Sequence, residues 1–231
     1  MTSADPPLRL SIIVPALNEE DNIVTTLKAL QEMRRRVHEV IVVDGGSKDR
    51  TAELATPLAD QLIYSEAGRA RQMNAGAAVA RGTVFWFLHA DTLVPEESDR
   101  MLSKALEDHD AVWGRFDVRL SGRHPMFRLI ARMMNLRSCL TGVATGDQGI
   151  FVRSDVFAKI GGYPDQPLME DIALSKRLKK LGKPLCINTP LITSSRRWEK
   201  RGILRTMALM WRLRLYYALG ADPARLARLY R

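Results

Sequence analysis

Three apolar runs in the first hundred residues stop in the same way. "LSIIVPALNEE" (10–20), "VIVVDGGS" (40–47) and "FWFLHADT" (85–92) pass from core-type side chains straight into polar ones: Asn18 and Glu19, Asp44, and His89 with Asp91. Runs without polar alternation are strands covered on both faces. Between them lie stretches with apolar residues at helical spacing, such as Ile23, Leu27 and Leu30. Strands alternating with helices predict an α/β fold, a mostly parallel sheet with helices on both faces. Ligands of such open sheets bind in the crevice beyond the carboxyl ends of the strands. The three polar stops therefore predict a single rim that carries the chemistry.

Along the chain the pattern predicts strands over 8–14, 37–47, 61–65 and 83–88. Helices are predicted over 18–33 and 48–59, and "GRARQMNAGAAVARG" (68–82) reads as a glycine loop opening an Ala-rich helix. The second half is less regular. It holds a strand over 111–122, a helix from about Pro125 to Leu140, and a glycine-rich loop over 141–153 that enters a strand. A helix over 168–182 has Glu170 and Asp171 at its start and Gly182 at its stop. With no repeat or linker, 1–231 reads as one domain with a C-terminal helical appendage.

A net charge of +9 suggests nucleic acid until it is located. Residues 196–231 carry ten Lys/Arg against two Asp/Glu, and residues 1–195 carry twenty-five against twenty-four. The charge sits in the tail, without the interleaved base-stacking aromatics of a nucleic-acid surface, so no nucleic-acid partner is expected. An acidic partner, an anionic membrane surface or a phosphate-rich ligand suits it better. Cys139 and Cys186 have no further Cys or paired His at zinc spacing and read as reduced thiols of a cytoplasmic protein. The N-terminal twenty residues do not read as a secretory leader, and no apolar run reaches the length of a membrane span.

Each polar stop has a plain alternative. Asp44 before two glycines suits an Asx-turn, Asp91 with Thr92 suits a helix cap, and Glu19 suits a first-turn acid. Arg69 and Arg71, beside exposed helix amides, are suited to phosphate. What favours a site is that these acids collect at the ends of neighbouring strands.

In that order and at those separations, "SIIVPALNEE", "VIVVDGGSKDRT", "FLHADT" and "MEDIALSKRL" resemble glycosyltransferase family 2, inverting enzymes of the GT-A fold. "GRARQMNAG", "WGRFDVRLSG", "TGDQGIFVR" and "SSRRWEKRG" are similar to a short bacterial subgroup associated with radical-SAM and selenodomain proteins. The resemblance implies a nucleotide-sugar-binding half (1–95), an acceptor and catalytic half (96–199) and a basic helical tail (200–231). It implies that Pro15, Asn18 and Glu19 line the nucleotide pocket, that Asp44 meets the base, and that Arg69, Arg71 and Asn74 complete the donor site. Asp91 matches the last acid of an Asp-x-Asp motif and implies a divalent metal, Mn²⁺ or Mg²⁺, on a UDP-sugar diphosphate. Asp171 matches the general base, with Glu170 beside it. His89 stands where the motif has its first acid; ribose, phosphate or metal contact and a backbone-satisfied histidine stay open.

Asp147 and Gln148 are expected at sugar or acceptor hydroxyls, with a capped turn as the alternative. Arg197 and Trp198 are similar to the Arg-Trp pair of processive members, but Ser194 replaces the usual Gln, and a core-packed Trp stays open. The acceptor is a small molecule or a lipid-linked one. For the tail, packing on the domain, a homodimer contact and peripheral contact with the inner membrane face are the alternatives. Rival readings are a nucleotidyltransferase, which would need a glycine- and basic-rich loop where "PALNEE" stands, and a non-catalytic nucleotide-sugar-binding protein.

Overall fold

A computed structural model describes residues 8–230. The seven residues before them, part of the stretch read for a leader, and Arg231 lie outside the described residues. The strands are β1 (Leu10–Ala16), β2 (Glu39–Asp44), β3 (Gln61–Tyr64), β4 (Val84–Phe87), β5 (Thr92–Leu93), β6 (Trp113–Leu120), β7 (Phe151–Arg153) and β8 (Leu185–Thr193). The helices are α1 (Ile23–Ala29), α2 (Gln31–Arg35), α3 (Thr51–Ala55), α4 (Arg69–Val79), α5 (Ser98–Asp108) and α6 (Pro125–Thr141). They continue with α7 (Ser154–Lys159), α8 (Glu170–Leu178), α9 (Arg196–Arg201), α10 (Ile203–Ala218) and α11 (Pro223–Tyr230).

The strands form one sheet in the order β3-β2-β1-β4-β7-β6-β8-β5. The first four are parallel, as is the β6–β8 pair; β7 runs against both its neighbours and β5 against β8. β1 shows why both faces must be covered. Its Leu10, Ile12 and Val14 enter a core with Leu27, Leu30 and Leu102, while Ile13 enters a second core with Met73, Phe157 and Leu174. Each fully buried aliphatic side chain of this kind contributes about 1.5–3 kcal/mol. α4 approaches so closely that a Cβ on Gly76 would stand 2.5 Å from Ile13.

Several sequence expectations change in detail. The helix expected over 18–33 starts only at Ile23 and breaks at Leu30. Asn18 takes a left-handed backbone (φ 54°), and the Leu27 carbonyl accepts from the Leu30 amide at 3.1 Å and from the Gln31 side chain at 2.9 Å. The strand expected over 37–47 is confined to Glu39–Asp44. β8 was not foreseen, because Asn188, Thr189 and Pro190 interrupt its apolar pattern. They sit at a register shift, where Phe116 pairs with Ile187 but Asp117 with Pro190. Proline is tolerated at such a bulge.

The tail folds back. Leu213 of α10 and Leu226 of α11 are buried against Leu168, Met169 and Ile172 at the start of α8, and the Lys176 ammonium lies 5.0 Å from the centre of the Tyr217 ring. Among the described residues, no helix is long and apolar enough to cross a membrane.

Gly114 of β6 is the tightest strand glycine, because an added Cβ would stand 2.4 Å from both the Leu185 carbonyl oxygen and the Phe151 ring. Gly114→Ala is expected to cost about 1–3 kcal/mol, read as a lower urea midpoint at unchanged slope. An unchanged midpoint would mean that β6 and β8 separate without penalty.

Candidate active site

Strand register builds the rim. Ala16 pairs with Asp44 and Ile13 with Phe87, so β1, β2 and β4 release their chains at one edge. Gln72 of α4, buried, fastens that edge: its side-chain amide donates to the Ala16 carbonyl (2.8 Å) and the Val43 carbonyl (2.9 Å). Gly45 leaves room for it, since a Cβ there would stand 3.0 Å from the Gln72 side chain. Sequence reasoning missed Gln72; its signal was a polar residue one turn after Arg69 in an Ala-rich helix.

Beyond the rim opens a cavity of about 1020 Å³. It brings together ten of the expected residues: Pro15, Glu19, Arg69, His89, Asp91, Asp147, Glu170, Asp171, Arg197 and Trp198. Trp198 does two things, packing against the cluster of Leu120, Phe127 and Ile130 while reaching the cavity.

One tight turn links the strand end at His89 to the start of α8. The Gly146 amide donates to Asp171 Oδ2 at 2.9 Å, and the next residue, Asp147, meets His89 Nδ1 at 3.1 Å. A Cβ on Gly146 would lie 2.4 Å from His89 Nε2, so the histidine can reach the turn only past a glycine. His89 is thus held by a carboxylate rather than by backbone. The second Asp171 oxygen accepts from the Ile172 amide at 2.7 Å.

Burial pushes the Asp171 carboxyl above its ordinary value; the two amides and the Arg69 charge act against that push. Glu170, 5% exposed, is raised by burial and then by the Asp171 charge. For Asp147, burial acts upward too, but the hydrogen bond and charge of His89, with Arg69 and Arg197, leave it below the ordinary range. Neighbouring acids driven in opposite directions are a mark of acid–base sites.

Five expected residues are not brought to the cavity. The buried Asp44 carboxylate accepts from the amides of Gly46 (3.0 Å) and Ser47 (2.9 Å) and from the Ser47 hydroxyl, forming the turn its glycines suggested. Asn18 accepts from the Lys48 amide at 2.8 Å. Arg71 is paired with Glu66 and, at 2.9 Å, with Asp165. Asn74 clamps the Tyr163 backbone through its carbonyl (2.8 Å) and amide (2.9 Å). Gln148, fully buried, closes a reciprocal cap with Thr145 and donates to Ser138 at 2.8 Å.

The tail supplies what the strand ends lack. Arg196, Arg197, Lys200 and Arg201 of α9 and Arg214 of α10 all line the cavity. Arg196 reaches Glu19 at 3.3 Å, and the Arg197 guanidinium lies 4.1 Å from the centre of the Tyr230 ring. The localised tail charge was the sequence signal for this wall. Asp91 lines the cavity with no hydrogen bond to its carboxylate among the described residues, and its charge acts on Arg197. No three His, Cys, Asp or Glu among the described residues converge as a metal-holding group.

Comparison with known proteins fits this geometry. Residues 11–160 match the model of Glycosyl transferase family 2, which spans the rim, the His89–Asp91 strand end and the linking turn. The chain belongs to glycosyl transferase family 2. Two curated relatives are a probable glycosyltransferase YdaM of Bacillus subtilis and an undecaprenyl-phosphate 4-deoxy-4-formamido-L-arabinose transferase of Yersinia enterocolitica. YdaM is 27% identical over 92% of this chain and 55% of its own length; the Yersinia transferase is 30% identical over 67% and 50%. The chain thus spans about half the length of the curated relatives it matches. Glucosyl-3-phosphoglycerate synthase of Mycobacterium tuberculosis, solved with Mn²⁺, UDP and glucosyl-3-phosphoglycerate, shares the GT-A fold. Its TM-score is 0.61 at 20% identity, over 80% of this chain and 71% of that one.

The raised Glu170 carboxyl has a consequence for stability in this family 2 site. The folded state holds that proton more tightly than the unfolded chain, so stability falls as pH rises from the ordinary carboxylate range through the raised folded value. Glu170→Gln removes the buried charge. It is expected to raise the denaturation midpoint at pH 7 and to lose that advantage towards pH 4. A midpoint lowered at pH 7 would show that the charge is compensated.

Proposed function

We propose that this chain transfers a sugar from a nucleotide-sugar donor, a UDP-sugar, to an acceptor hydroxyl with inversion at the anomeric carbon. One observation carries the reading: a carboxyl raised by burial and aimed by two amides, Asp171, shares a cavity with Asp91 and with a wall of cations. A base with an elevated pKa can take a proton from a hydroxyl as it attacks, and cations meet the charge that a departing nucleoside diphosphate develops. The narrower placement, in the radical-SAM/selenodomain-associated subgroup, rests on the four second-tier motifs and is part of this proposal.

The steps follow from the residues. The rim at Pro15 and Glu19 receives the nucleotide, with Arg69 and Arg197 facing its diphosphate. The acceptor oxygen attacks the anomeric carbon while Asp171 takes its proton, and the bond from that carbon to the phosphate oxygen breaks, its electron pair leaving with UDP. The Asp147 charge adds to burial in keeping Asp171 basic, and the Asp171 charge in turn raises Glu170 beside it. His89, held by Asp147, keeps the linking turn against the donor side and so fixes the direction of Asp171.

The donor set is compatible with a divalent cation of the Mg²⁺ or Mn²⁺ type. Such ions are commonly held by one or two carboxylates together with substrate phosphates, and Asp91 is a free carboxylate at the right rim. When bound, the ion would neutralise charge on the leaving diphosphate.

Calorimetric titration with UDP, GDP and CMP, each with Mn²⁺, Mg²⁺ or EDTA, tests the donor site. UDP is expected to bind, more tightly with metal, and Asp91→Ala to remove the metal's effect. With a turnover assay in hand, Asp171→Asn is expected to lower kcat by about 10²–10⁴-fold with donor KM little changed. Wild-type activity is expected to fall as pH drops through a value above the ordinary carboxylate range. No nucleotide bound under any condition would remove the donor-site reading.

A further inference from the structure

The cavity contains one cation whose buried donors find no hydrogen-bonding partner among the described residues. Arg137, on α6, lines the cavity, and its Nε and Nη2 are buried yet form no hydrogen bond among the described residues. A guanidinium offers five donors in a planar fork matched to carboxylate or phosphate, and buried donors of this kind are nearly always paired. Of the other cavity cations, Arg196 pairs with Glu19, Arg197 lies over Tyr230 and Arg201 donates to the Tyr230 carbonyl at 2.7 Å, while Arg69, Lys200 and Arg214 hold no buried unpaired donor.

Arg137 also differs in its surroundings. On its own face of α6 it follows Ile130, Met133 and Met134 at helical spacing, and the same cavity is lined by Met207, Met210 and Trp211 from α10. Burial lowers the guanidinium below its usual range, the Asp171 charge acts to raise it, and Arg115 acts to lower it. The fork therefore stands within electrostatic reach of the proposed base, on a wall away from β1 and β2. Methionine-rich walls suit ligands of irregular apolar shape.

We propose that Arg137 forms an anion-binding subsite on the acceptor side, holding a phosphate or carboxylate of an acceptor whose apolar part lies along the methionine wall. The inference rests on the transferase reading of this cavity and names the chemical class of its acceptor.

The test is calorimetry on the full chain with UDP and Mn²⁺ saturating, so that added phosphate cannot report the donor site. Octyl phosphate below its micelle concentration, glycerol phosphate and 1-octanol are titrated into wild type, Arg137→Met and Arg137→Lys. Arg137→Met is expected to weaken octyl phosphate by about tenfold or more, with UDP binding unchanged; Arg137→Lys, charged but without the fork, should fall between. Should Arg137→Met lose UDP binding, Arg137→Lys alone is read, and its weakened phosphate binding supports the subsite. Octyl phosphate tighter than glycerol phosphate, with Arg137 governing both, supports the proposal. Equal affinities governed by Arg137 overturn the apolar half of it and leave a subsite for a soluble phosphorylated acceptor. Phosphates that bind wild type and variants alike, or octanol binding as tightly as octyl phosphate, overturn the inference while UDP binding keeps the transferase reading. If wild type does not bind UDP, the transferase reading itself has failed.

Discussion

The turn at Gly146–Gln148 is the constraint on which the site depends. One amide of it holds Asp171, its carboxylate holds His89, and its buried glutamine is tied to α6 through Ser138. The residues it joins are far apart in the chain and come from three places: just after β4, the start of α8 and the last turn of α6. Each bond is modest alone, about 0.5–1.5 kcal/mol for a neutral pair and more where charge assists. Their value lies in geometry, because a carboxylate whose two oxygens each accept an amide has little freedom to turn away from the cavity.

The antiparallel strand in the middle of the sheet explains how this turn reaches the rim. β7 runs against β4 and β6, so the segment entering it begins at the edge where β1, β2 and β4 end. A sheet with that strand reversed would deliver Gly146 to the opposite edge. The cavity thus owes its Asp91 side to parallel strands and its Asp171 side to a strand that runs against them.

The fold was legible because β1, β2 and β4 are apolar on both faces, and only a doubly covered sheet accommodates that. β8 was hidden because its stability comes from partners at either side of a bulge rather than from its own pattern. In the site, Asp91, Glu170 and Asp171 were visible as acids placed where helices and strands begin or end. Asn74 and Gln148 carried the same kind of motif signal, yet their amides serve the backbone of neighbouring loops, a use that depends on what lies opposite in space. Arg137 was invisible for the converse reason: in sequence it is one arginine among several on α6, and only burial without a partner sets it apart.

The cationic wall comes from residues 196–214, closed over by α11, whereas the rim comes from the first hundred. During synthesis, segments fold broadly from the amino end. The sheet edge and its acids would therefore be assembled while the arginines opposite them were still in or near the ribosome. Until α9 and α10 emerge, the half-built cavity presents Asp91, Glu170 and Asp171 with only Arg69 and Arg137 as counter-charges. A nascent chain in that state has fewer cations to meet the diphosphate of the proposed donor, so the proposed site is complete only once α10 has folded.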